Sequence, residues 1–256
     1  VYDNNIGIEV QFGAVAVENV EVYNNTIGIS VGSSSSALRN IVYDNSQGIF
    51  GNNAVLMEDN IAYGNGTGIR WNYNTNVVGN IAYNNARGFH ADGYIGSNSQ
   101  WRASMYNNLA YGNTEYAMRA ERTVGSPQIY NNTFVQAGEG TTAVILDLAP
   151  NIRFNNNIVA IDQGLALSVR IDSQPGFTSD YNLYHLTGGA SAFLWGDLPL
   201  ETQLDWFYNV GADSHSLFTD PLFVDPVTGN YRLSLASPAI DAGNPDSHYQ
   251  LEPEPA

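Results

Sequence analysis

Asp92, Glu121 and Asp147 each end a short stretch in which every second residue is hydrophobic: Phe89 and Ala91, Met118 and Ala120, Val144 and Leu146. In a strand such alternation sends the apolar set to one face and its neighbours to the other. The earlier pairs Ile8 and Val10, Ile29 and Val31, and Ile69 and Trp71, and the later pair Leu167 and Val169, fit the same pattern. The outward neighbours form two columns. One reads Glu9, Ser30, Phe50, Arg70, His90, Arg119, Ile145, Ser168, and the other Gln11, Gly32, Asn52, Asn72, Asp92, Glu121, Asp147, Arg170. The early positions are bland and the later ones charged. A one-residue insertion before Met118 is required, because the strict count would bury Arg119, and an unpaired buried charge costs several kcal/mol.

Carboxylates in adjacent strands are suited to glycoside hydrolysis. Retention needs two carboxyls about 5–5.5 Å apart, and inversion about 6.5–9.5 Å. One rung separates Asp92 from Glu121 and Glu121 from Asp147, which matches the first spacing, and two rungs bring Asp92 and Asp147 nearer the second. Crowding of the three acids should raise the pKa of at least one, the condition for a general acid. His90 would tune the acids or hold hydroxyls. Arg70, Asn72, Arg119, Arg122 and Arg170 would bind substrate, with Trp101 and Arg102 on an inserted stretch, Tyr94 to Arg102, as a wall; Tyr73 and Tyr94 add aromatic faces. The second chemistry is β-elimination or C5 epimerisation of a uronic acid polymer, in which Arg or Ca²⁺ neutralises the sugar carboxylate and a base removes a proton. Five of the nine arginines fall near the patch, against the sign of the whole chain. A third reading makes the face a glycan-binding surface without turnover, and a fourth makes it a network of cross-strand ion pairs. Hydrolysis leads, because carboxylates dominate and the chain has no Lys. It requires no cofactor, and Ca²⁺ is the one candidate ion.

What positions these residues is a repeat. Asn19, Asn40, Asn60, Asn80, Asn108, Asn132, Asn157 and Asn182 each precede a short apolar run, and Asn40-Ile-Val-Tyr, Asn60-Ile-Ala-Tyr and Asn80-Ile-Ala-Tyr are nearly identical. A period near 20 residues made of short strands and Gly or Asn corners predicts a solenoid of stacked parallel strands, about eight rungs high. Asn at a fixed corner tolerates left-handed backbone and can bond to the amide one rung away. A Tyr column runs through Tyr23, Tyr43, Tyr63, Tyr83 and Tyr111.

With these repeats the chain resembles the right-handed parallel β-helix family of pectate lyases, polygalacturonases and alginate epimerases over residues 1 to 185. The resemblance implies an all-β fold and a polysaccharide or oligosaccharide partner. The motifs of the individual subfamilies are absent, so it transfers no catalytic residue. The stretches Ser216-Leu-Phe-Thr-Asp-Pro-Leu-Phe-Val-Asp-Pro and Ser237-Pro-Ala-Ile-Asp-Ala-Gly are similar to the terminal segment of secreted bacterial proteins of this fold. That likeness implies a secreted or cell-surface location, with the signal peptide absent from this sequence.

The expected organisation is a coil over 1–187, a capping segment over 188–243 that covers the open end, and a flexible Pro- and Glu-rich tail over 244–256. Val1-Tyr-Asp-Asn-Asn-Ile-Gly matches the middle of a rung, so upstream rungs and a cap are expected to be missing. The net charge of −16 disfavours nucleic acid and anionic membrane surfaces, which need a positive field. There is no Cys, hence no disulfide and no thiolate metal site. No apolar run is long enough to span a bilayer as a helix.

Overall fold

The structure, a computed structural model, describes residues 1–93, 103–123 and 125–247. The chain is a right-handed parallel β-helix of about eight turns, and each turn gives one strand to each of three sheets. The first sheet runs from Ile6–Phe12 through Gln47–Asn52, Thr67–Asn72, Arg87–Asp92, Tyr116–Glu121 and Thr142–Asp147 to Ser191–Trp195. The second carries three-residue strands such as Ala16–Glu18, and the third strands such as Glu21–Tyr23. Pairing between consecutive turns is parallel, and the one-residue insertion holds: Phe89 lies opposite Met118, and His90 opposite Arg119.

The core is the inside of the coil. Ile29, Ile49, Ile69, Trp71, Phe89, Met118, Val144 and Leu167 are all fully buried. Each large apolar side chain so buried contributes about 1.5–3 kcal/mol. Ile8 and Val10 are only partly buried, because Ile6–Phe12 is the edge strand of its sheet.

Two asparagine ladders pin the corners. In the first, Asn40, Asn60, Asn80, Asn108, Asn132, Asn157 and Asn182 are buried, and each Nδ2 donates to the Oδ1 of the next at 2.9–3.2 Å. Asn19 does not belong to it. Val20 fills its slot and donates its N–H to Asn40 Oδ1. The left-handed residue is also not the ladder asparagine but the one before it: Arg39, Asp59, Gly79, Asn107, Asn131, Asn156 and Tyr181 have φ of 54–65°. The turn needs this conformation, and the buried amide one step on satisfies the backbone it exposes. The second ladder, Asn25, Asn45, Asn65, Asn85 and Asn113, ends on Gln136, whose Oε1 accepts the Asn113 N–H at 3.1 Å. Outside the third sheet, Tyr2, Tyr23, Tyr43, Tyr63, Tyr83 and Tyr111 stack with centroids 4.9–5.2 Å apart.

The C-terminal part divides in two. The last parallel strand of the first sheet, Ser191–Trp195, lies beyond residue 187, and helix Gln203–Val210 follows it. Thr202 caps the helix reciprocally with Asp205, and Gly211 ends it in left-handed conformation. The helix closes the core of the last turn with fully buried Trp206, stacked 4.3 Å from Phe193. The first ladder ends here too. Ser216 Oγ accepts the Asn182 N–H, and buried Asp213 accepts Asn182 Nδ2 at 2.9 Å and Trp206 Nε1 at 2.8 Å. After Leu217–Phe218 the chain does not stay over the open end. It returns along the outside of the third sheet, where Tyr231 meets Tyr111 at 5.0 Å and Asn244 N–H donates to Asn156 Oδ1 at 2.9 Å. That face is apolar enough to need cover, with Tyr111 and Leu109 partly buried on it. Of the expected tail, residues 248–256 lie outside the described residues.

Candidate functional site

The outer face of the first sheet brings Arg70, His90, Arg119 and Asp92, Glu121, Asp147 together. Arg70 lies opposite His90, Asp92 opposite Glu121, and Glu121 opposite Asp147. Arg122 joins from just beyond the strand. Its left-handed backbone (φ 52°) folds the side chain back over the preceding turn, where Nε donates to Gly93 O at 3.2 Å.

Every carboxylate of the patch is engaged by arginine. Asp92 pairs with Arg70 through Oδ2 and with Arg122 through Oδ1 at 2.7 Å. Glu121 Oε1 meets Arg122 Nη1 at 2.8 Å and its Oε2 meets Arg119 Nε at 3.0 Å. Asp147 Oδ2 takes Arg119 Nη2 at 2.7 Å. Arg122 therefore bridges Asp92 to Glu121, and Arg119 bridges Glu121 to Asp147. Within this network three guanidiniums balance three carboxylates, and Arg170 adds a fourth guanidinium one turn beyond Asp147.

Burial pulls the His90 imidazole down to about 4, with Asp92 opposing and Arg70, Arg119 and Arg87 adding to the fall. Burial pushes the Tyr116 phenol up to about 12, against Arg87 and Arg119. Both are neutral at pH 7 and share a hydrogen bond of 3.2 Å between the Tyr116 hydroxyl and His90 Nδ1; the Glu121 carboxylate beside Nε2 favours the tautomer protonated there, in which the hydroxyl is the donor. Nε2 faces Glu121 Oε2 at 3.4 Å without the alignment of a hydrogen bond. At Asp92, burial acts upward, but the Arg122 and Arg70 hydrogen bonds outweigh it and hold the carboxyl below its usual range. Crowding of acids thus does not raise Asp92, because each added acid arrives with an arginine.

These shifts set a pH dependence. An unfolded His90 takes up a proton near pH 6.5 while the folded one resists until about 4, so the unfolded state binds more protons in that window and stability falls as pH drops through it. The loss is roughly 3 kcal/mol if the imidazole stays buried. Lowered Asp92 adds a further loss below the ordinary carboxylate range. Melting curves from pH 7 to 4 should show a steep fall in the wild type and a shallower one in His90→Gln. Equal slopes would mean that His90 is not the group that titrates.

The remaining expected residues are distributed around this network. Asn72 Oδ1 accepts the Asn53 N–H, and the residue lines a recess beside Asp92 and Tyr73 that is too tight for a water molecule. Arg170 is exposed, one turn beyond Asp147, and makes no ion pair among the described residues. Tyr94, Trp101 and Arg102 lie outside the described residues. Phe50, in the same column as Arg70, was not singled out from sequence. The Arg70 guanidinium lies 5.5 Å from its ring centroid, and alternation alone placed the two in one column. Among the described residues no group of three or more His, Asp or Glu side chains has the arrangement of a metal site. No helix among them is long and apolar enough to cross a membrane. Comparison with protein families, with curated proteins and with solved structures finds no match to this chain.

Proposed function

We propose that the chain is a glycan-binding β-helix that holds a neutral polysaccharide against the outer face of its first sheet. The observation that carries this reading is the position of Arg122 and Arg119. A hydrolase needs open space between its two carboxyls for the anomeric carbon, and here a guanidinium occupies that space in both adjacent pairs. A uronic acid polymer gains less from this face: of the arginines described on it only Arg170 has no ion pair among the described residues, and at Arg70, Arg119 and Arg122 the polymer's carboxylates would have to displace Asp92, Glu121 or Asp147. A neutral glycan meets a flat, rigid lattice of donors and acceptors without breaking a pair. Arg–carboxylate networks of this kind keep side chains in place, so little rotamer freedom is lost on binding.

Hydrolysis remains the second reading, favoured by the consecutive register of the three carboxylates on one face. One experiment separates the two. Native gels cast with neutral and uronic-acid polysaccharides report retardation, and reducing-end and unsaturated-product assays on the same panel report turnover. Retardation by a neutral polysaccharide with no new ends is expected. Glu121→Gln should lower stability by about 1–3 kcal/mol, because it leaves Arg119 and Arg122 each short of a partner. Reducing ends that disappear in Glu121→Gln at unchanged melting temperature would overturn the binding reading and establish hydrolysis.

A further inference from the structure

A cavity of about 700 Å³ lies between the first-ladder corner and the returning C-terminal segment, far around the coil from the charged face. Its coil side is lined by Asn107, Asn131 and Asn156, the left-handed residues of three consecutive turns, repeated at the rung spacing of ~4.8 Å. Its other side is the segment Ala239 to Pro245, held to the coil by the Asn244 N–H to Asn156 Oδ1 bond. The volume falls in the range of small-molecule sites, about 300–1,000 Å³.

The lining describes a ligand. The side chains of Asn131 and Asp241 make no hydrogen bond within the described residues, and Asn156 keeps its Nδ2 donor unused. The Asn131 amide offers a donor and an acceptor, Asn156 a donor one rung away, and the Asp241 carboxylate accepts from a hydroxyl. Ile158, Leu233 and Ile240 supply apolar surface to the same space. No Arg or His lines it, and the chain carries a net charge of −16, so anions are repelled. Rows of hydroxyls beside a C–H face are the chemistry of a pyranose.

We propose that this cavity is a separate binding site for a short neutral oligosaccharide, clasped between the asparagine corner and the C-terminal segment. The inference does not depend on the sheet-face reading. The left-handed positions allow a clean test, because Gly tolerates that backbone without strain and Gly79 already occupies the corner one turn before Asn107. Asn131→Gly with Asp241→Gly should remove both free polar groups and leave the melting temperature unchanged.

Saturation-transfer NMR and calorimetry with cello-, xylo-, manno- and laminari-hexaose on the full chain are expected to show saturable binding of at least one. The double variant should bind it at least tenfold more weakly. A polysaccharide that retards the wild type should retard the double variant equally. Absence of saturable binding across the panel, or unchanged affinity in the double variant, would overturn the proposal. Loss of polysaccharide retardation together with the oligosaccharide would mean a single site and overturn it as well.

Discussion

Asn80→Ala is expected to lower the unfolding free energy by about 3–5 kcal/mol, far more than its size suggests. The Asn80 Nδ2 donates to Met57 O at 2.9 Å, Val78 O at 3.0 Å and Asn108 Oδ1 at 3.0 Å, while Oδ1 accepts Asn60 N at 3.0 Å and Asn60 Nδ2 at 2.9 Å. Truncation leaves the buried Asn60 N–H without an acceptor and opens a gap in the middle of the stack. An orphaned buried group costs about 1–3 kcal/mol, and more than one is created. Asn80→Leu should be no better, since it fills the space and satisfies none of the donors. Asn19→Gly provides the contrast. Asn19 lies outside the ladder and already has left-handed backbone, so its effect should stay within about 0.5 kcal/mol. Urea unfolding of the three variants decides the matter, and a loss below 1 kcal/mol for Asn80→Ala would remove the ladder from the account of stability.

Trp206→Ala should be at least as damaging, at about 4–6 kcal/mol. The indole is fully buried and packs on Phe193, Trp195 and Phe177, so truncation opens a large cavity over the last turn. It also withdraws Nε1 from Asp213, a carboxylate with no exposed surface. Burial pushes the Asp213 carboxyl up, against Ser216, Asn182, Ser179 and Trp206, which pull it down. Losing one of those donors therefore raises the cost of its charge. Trp206→Phe separates the two contributions: it keeps most of the ring stack and should lose only about 1–3 kcal/mol. Thermal melts of both variants provide the measurement. If Trp206→Ala melted within a few degrees of wild type, the helix would not be what closes the coil.

The fold was legible because a solenoid repeats its evidence. Each turn restates the same alternation, and energy decided the one ambiguous register: a buried Arg119 was excluded and Met118 accepted. The second ladder was equally present, in Asn25, Asn45, Asn65, Asn85 and Asn113, but in Asn24-Asn25 and Asn84-Asn85 an Asn at two successive corner positions conceals which one is buried. Asn19 misled for the same reason, as residue type alone does not separate the left-handed position from the ladder position beside it. The columns of the charged face were also readable, since register fixes columns. Partner choice was not. Arg122 reaches back to Asp92 because its own φ is positive, and no strand pattern announces that. The C-terminal segment has no period, so its route along the third sheet could be found only from its contacts, Tyr231 on Tyr111 and Asn244 on Asn156.

The first ladder links Asn60 to Asn80 across 20 residues and Asn80 to Asn108 across 28, with bonds of 2.9 and 3.0 Å, and the strands on either side keep their register. The lattice is thus blind to the length of what leaves it, provided the chain returns to the next strand in phase. Such a frame separates two kinds of heredity. Point changes inside the strands are policed by every neighbouring turn, whereas a change in the length of the connection that follows Gly93 leaves the ladder bonds and the strand register as they are. A lineage built on this plan can change the company its surface keeps much faster than it can change its shape.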